Sequence, residues 1–163
     1  MRRLRIYLDT SVINFLYADD APDFRRVTEE FFAEYANRND LYGSDVLLRE
    51  LDNDPNPERR QRHMKVLQQH DVAMLPRNRD DEVVRLADAY LQQGIVPAKK
   101  RDDALHVAYA TVFEMDVLLS WNFKHLANIQ REARFAVVNQ AEGYWRSPRI
   151  VSPLEVEDEE ESE

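Results

Sequence analysis

The chain has 163 residues and no cysteine, with 44% hydrophobic and 10% aromatic residues. That is enough apolar material for one domain with a real core, and it excludes disulfides, thiolate metal sites and a disordered chain. The formal net charge of −9 is mostly local: EVEDEEESE (155–163) holds seven acids and no base, and without it 24 acids face 22 Lys plus Arg, a net of −2. The body, 1–154, is therefore read as one near-neutral domain and 155–163 as an acidic, disordered tail. A body of this charge neither demands a nucleic-acid partner nor argues strongly against one.

The start, MRRLRIYLDT, is basic but has no long apolar region or small-residue cleavage site, and reads as a first strand rather than a signal peptide. LRIYLD (4–9) is the β-rich run, and VINFLYA (12–18) is short and apolar. Val27, Phe31, Phe32 and Tyr35 recur at helical spacing through 23–38, just after Pro22. A second strand is expected over 40–44, then helices over 45–53 and, opened by Pro57, 57–70. Residues 72–76 read as a third strand. The amphipathic stretch 80–94 reads as a helix ended by Gly94. A helix over 102–115, a strand over 116–121, a helix over 129–140 and a last strand over 149–153 complete the pattern. No run reaches the roughly 18 apolar residues of a membrane span. The absence of cysteine suits a cytoplasmic protein.

Alternating strands and helices predict an α/β domain of three layers, with a parallel sheet covered on both faces. Ligands in such sheets bind beyond the carboxyl ends of the strands, so polar residues there are the candidates. Asp9 ends the first strand, with Thr10 and Ser11 behind it. Glu50 lies on the helix after YGS. Asp102 and Asp103 open the helix before the strand that ends at Asn122. Carboxylates so placed suit Mg²⁺ or Mn²⁺, which take oxygen ligands. Asp9 and Asn122 are equally suited to capping helices. No glycine-rich phosphate loop, G-x-S-x-G elbow or zinc-type histidine spacing is present. His63, His70, His106 and His125 are read as surface or helix-face residues.

Four segments, YLDTSVINFL, SDVLLRELD, DDALHVAYATVFEMDVLLSWNFKHLAN and RIVSP, occur in an order that resembles the PIN-domain nucleases, most closely the VapC-like toxin branch. The resemblance covers about 4–154. It implies the three-layer α/β/α PIN-like fold and a divalent-metal-dependent ribonuclease using Mg²⁺ or Mn²⁺. It also implies a cognate antitoxin and a homodimer. Carried over by position, the metal and catalytic acids are Asp9, Glu50 and Asp103. The fourth position, often an Asp, is Asn122 here, which removes one negative charge and puts a second ion in doubt. Asp102 is then the natural cap and Asp103 the match.

Lys99, Lys100 and Lys124 are read as candidate contacts to an RNA backbone, with an ordinary charged loop as the alternative for each. Thr10 and Ser11 either support Asp9, touch substrate phosphate or cap a helix. A non-catalytic RNA- or protein-binding PIN module is the alternative function. A phosphatase using Asp9 as nucleophile ranks last, because Ser11 stands where such enzymes usually place a second Asp.

Overall fold

The computed structural model describes residues 2–156. Five strands, β1 (Arg5–Leu8), β2 (Asp40–Gly43), β3 (Ala73–Met74), β4 (Val117–Leu119) and β5 (Arg149–Val151), form one parallel sheet in the order β3-β2-β1-β4-β5. The helices are α1 (Thr10–Asn14), α2 (Pro22–Glu30), α3 (Asp45–Asp52), α4 (Pro57–Gln69), α5 (Asp80–Gln92), α6 (Arg101–Val112) and α7 (Ile129–Ala141). This is the expected three-layer α/β architecture, PIN-like in its arrangement.

Successive side chains of a strand face opposite sides of a sheet, and here both sides are buried. Ile6 and Leu8, Val117 and Leu119, and Val151 enter the core under α1 to α4. Tyr7, Leu118 and Ile150 enter the other core, under α5 to α7. The strands are therefore apolar after their first residue, charged in β1, β2 and β5 (Arg5, Asp40, Arg149), and β1 and β4 give way to polar residues where they end. Leu118 is fully buried; truncating it to Ala would cost about 2–5 kcal/mol through lost transfer energy and the cavity left behind.

Local signals fix the ends of the helices. The Ser44 hydroxyl accepts from the Val46 N–H at the start of α3, and the Asn56 side chain caps α4 next to Pro57. Asn128 caps α7 by accepting from the Arg131 N–H. Gly94 follows α5 with φ of +67°, the left-handed conformation expected of a helix-ending glycine. Gly43 is required for space: a Cβ there would meet Leu47 Cδ2 at 2.5 Å.

One predicted helix differs. The 23–38 helix is α2 followed by a wide π-type turn over Phe31–Tyr35 and a 3₁₀ turn over Ala36–Arg38. The wider turn goes with burial of Phe31, Phe32, Tyr35 and Ala36, more side chains than one regular helical stripe would bury. At the other end, residues 153–156 continue as a helical turn, and Val156 packs on the core under α1 to α4. The rest of the expected acidic tail, 157–163, lies outside the described residues.

The chain leaves β1 toward β2 on one side and returns to β4 on the other. The crevice between the ends of β1 and β4 is therefore the switch point of the sheet, where open α/β domains bind their ligands.

Candidate active site

Asp9 follows β1 directly, and its N–H donates to the Leu119 carbonyl of β4 at 3.0 Å. It precedes α1 but makes no side-chain cap bond. Instead its Oδ2 accepts from the Ser11 and Ser120 hydroxyls, each at 2.7 Å. Its Oδ1 lies 3.5 Å from His106 Nε2. The carboxylate is almost wholly buried and held by two hydroxyls, which leaves capping out of its role.

Glu50 reaches the same crevice from α3. Its Oε1 accepts from Thr10 Oγ1 at 2.8 Å and from His106 Nε2 at 2.5 Å. Burial alone would raise the Glu50 pKa, but the hydrogen bond and charge of His106, with the Thr10 bond, outweigh it and the pKa is lowered. His106 sits on α6 with no exposed surface. Its own burial pushes its pKa down, yet the Glu50 hydrogen bond and the charges of Asp9, Glu50 and Asp103 raise it overall. On its other side, His106 Nδ1 shares a hydrogen bond of 2.6 Å with Tyr7 Oη. The Tyr7 hydroxyl in turn lies 2.6 Å from Ser44 Oγ. A buried chain thus runs Ser44–Tyr7–His106–Glu50 through both cores' boundary.

Asp103 is the least neutralised acid of the group. It sits in the first turn of α6 and accepts from the Asn122 amide at 3.2 Å. Burial first, then the charge of Asp9 and, after partial relief by His106, that of Glu50, push its pKa from 3.8 up to about 6. Asp102 turns away into a bidentate pair with Arg49 at 2.8 and 3.1 Å. Asn122 does cap: its Oδ1 accepts from the His125 N–H at 2.9 Å while its amide faces Asp103. Its carbonyl oxygen therefore serves the turn, and its donor serves the carboxylate.

Asp9, Thr10, Ser11, Glu50, Asp103 and Asn122 thus meet in one crevice. Lys99, Lys100 and Lys124 do not touch the acids; they line a separate groove next to them with His125 and Arg131. Three residues of the cluster escaped the sequence reading: His106, Tyr7 and Ser120. Asp103 and His106 are three apart on one helix and must share a face, which is the signal that would have found the histidine.

The chemistry of three converging carboxylates, one of them with its pKa pushed up to about 6 by burial and by the acids beside it, suits a hard cation. Their arrangement is not that of a finished ligand set: among the described residues, no three His, Cys, Asp or Glu side chains are grouped to hold a metal ion. Glu50 is turned onto His106 and Thr10 instead. Among the described residues no helix is long and apolar enough to cross a membrane.

No protein-family model and no curated protein matches the sequence. Similarity is found in structure. A chain of the VapBC2 complex from Rickettsia felis, solved bound to a DNA fragment from its promoter, superposes with a TM-score of 0.52. The two chains are 15% identical, and the match covers 74% of this chain and 90% of that one. At that identity the likeness speaks for the fold, and it agrees with the PIN-like three-layer reading.

Proposed function

We propose that the chain is a divalent-metal-dependent endoribonuclease, acting in the cytoplasm as the toxin of a toxin–antitoxin pair. The observation that carries this reading is the convergence of Asp9, Glu50 and Asp103 at the switch point, with Asp103 pushed up to about 6 by burial and by the other two acids. Like charges gathered in a half-buried crevice are what a bound cation would neutralise. Asp9, Glu50 and Asp103 would hold Mg²⁺ or Mn²⁺, with Asn122 beside them.

When bound, such an ion stabilises the charge that develops on the phosphate and acidifies a water. The protein's own part is positional. Ser11 and Ser120 fix Oδ2 of Asp9 and leave Oδ1 toward the crevice. His106 and Thr10 fix Oε1 of Glu50, and the carboxylate so held would help to bind the ion. Asn122 orients Asp103. Thr10 and Ser11 thus support the acids. Hydrolysis would leave a 5′-phosphate and a 3′-hydroxyl.

The antitoxin, an RNA substrate and a homodimer belong to this proposal; the VapBC2 neighbour, itself a complex bound to DNA, supports a partner of that kind. A non-catalytic RNA- or protein-binding module is favoured by one feature, the engagement of Glu50 by His106 in place of an open ligand set. Cleavage decides between them. The wild type should cut single-stranded RNA with Mn²⁺ and not with EDTA, and Asp9→Asn, Glu50→Gln and Asp103→Asn should each lose the activity while keeping the fold. Binding without cleavage, under any divalent ion, would establish the module instead.

A further inference from the structure

The groove beside the acids is chemically unlike the rest of this acidic chain. It lies between the segment leading into α6 and the turn after β4, with a volume of about 560 Å³, within the range of about 300–1,000 Å³ typical of ligand sites. Three of the chain's four lysines, Lys99, Lys100 and Lys124, line it together with Arg131, and no acid does. Among the described residues none of these four side chains forms a salt bridge, although most arginines elsewhere are paired. Their field reaches His125, also in the lining: burial first, then Lys124, Arg131, Lys100 and Lys99, lower its pKa. His125 Nδ1 is buried and has no hydrogen-bond partner. The remaining wall, formed by Leu91, Val96 and Pro97, is apolar.

Unpaired cations on one side and an apolar wall on the other match the two halves of a nucleotide. We infer that this groove is a subsite for one nucleotide of single-stranded RNA next to the cleaved position, its backbone phosphate on Lys99, Lys100, Lys124 and Arg131 and its nucleoside along Leu91 and Pro97. The position follows from the chain: Lys100 precedes Asp103 by three residues and Lys124 follows Asn122 by two, so the subsite abuts the acids. A groove of this size takes one nucleotide rather than the width of a duplex. This subsite rests on the ribonuclease reading for its place in the substrate, but its anion chemistry stands on its own residues.

The test is fluorescence anisotropy with a labelled single-stranded RNA of about 12 nucleotides, in EDTA, across a salt series. Lys99→Gln/Lys100→Gln and Lys124→Gln/Arg131→Gln should each weaken binding by about tenfold. Each should also flatten the dependence of log affinity on log salt by about 1.4, the value for two phosphate contacts on a single strand. Lys65→Gln, on the exposed side of α4, should change neither. Equal melting temperatures would show that all three variants fold. No RNA binding by the wild type, or pocket variants no weaker than Lys65→Gln, overturns the subsite. Mn²⁺-dependent cleavage of the same RNA separates the two claims. Cleavage with KM unmoved in the pocket variants sinks the subsite alone. Pocket-dependent binding without any cleavage sinks the nuclease alone and leaves the groove as an RNA site.

Discussion

Asp103→Asn should make the metal-free protein more stable while abolishing the proposed ribonuclease activity. In the fold Asp103 holds its proton up to about 6, against an ordinary 3.8. The native state therefore binds the extra proton between those values. Stability falls as pH rises through that window, and the full penalty is in place above about 6. A shift of roughly 2 units corresponds to about 3 kcal/mol. Partial solvent access and relaxation reduce this to about 1–3 kcal/mol, or a rise of about 2–10 °C in Tm for a chain of this length. Asn is nearly isosteric and can still accept from the Asn122 amide, so little packing is lost. The assay is thermal unfolding in EDTA at about pH 7.5 and about pH 4, where Asp103 is already neutral in the native state. The variant should exceed the wild type at the higher pH and match it at the lower. No gain at the higher pH, or the same gain at both, would refute the argument that Asp103 is a strained, uncompensated carboxylate.

Tyr7→Phe removes the hydroxyl between His106 and Ser44; leaving His106 Nδ1 buried and unpaired should cost about 1–3 kcal/mol in urea unfolding, and a loosened Glu50 should weaken Mn²⁺ binding by calorimetry. Asn122→Asp keeps the cap to His125 but sets a carboxylate against Asp103 where an amide now donates at 3.2 Å. Its metal-free Tm should drop and its Mn²⁺ affinity should rise; unchanged affinity would retire any role for this position at the metal. Truncation after Val156 should leave Tm within about 2 °C of the full chain, whereas truncation after Glu155 also removes an apolar side chain from the core and should lower it further.

Much of this molecule is legible in its sequence because strands and helices alternate with clean punctuation. Asp9 and the acids opening the 102–115 helix could be placed near one crevice from strand ends and helix starts, since a parallel sheet brings its carboxyl ends together, while Glu50 and the choice of Asp103 over Asp102 came from the resemblance. What could not be read is how the acids are held. Ser120 looks like a break in an apolar run until the fold brings it to Asp9 from the far strand. His106 has no zinc-type spacing and reads as a surface or helix-face residue, although three residues from Asp103 it must face the same way. Tyr7 carries a hydroxyl into the middle of a doubly covered strand, where it must find a partner, and that partner comes from another element. Asn122 shows a second limit. Its place was evident, but which of its atoms faces Asp103 depends on the turn to His125, a matter of local geometry that spacing does not encode. The π-type turn after α2 is of the same kind, a local rotation set by burial of aromatic side chains.

The central claim is that Asp9, Glu50 and Asp103 form a divalent-cation site. Calorimetric titration of Mn²⁺ into the wild type and into Asp9→Asn, Glu50→Gln and Asp103→Asn tests it most directly. Binding by the wild type that is weakened at least tenfold in each variant, with all four proteins folded, is the predicted result. No binding by the wild type, or equal binding by the three variants, would contradict it.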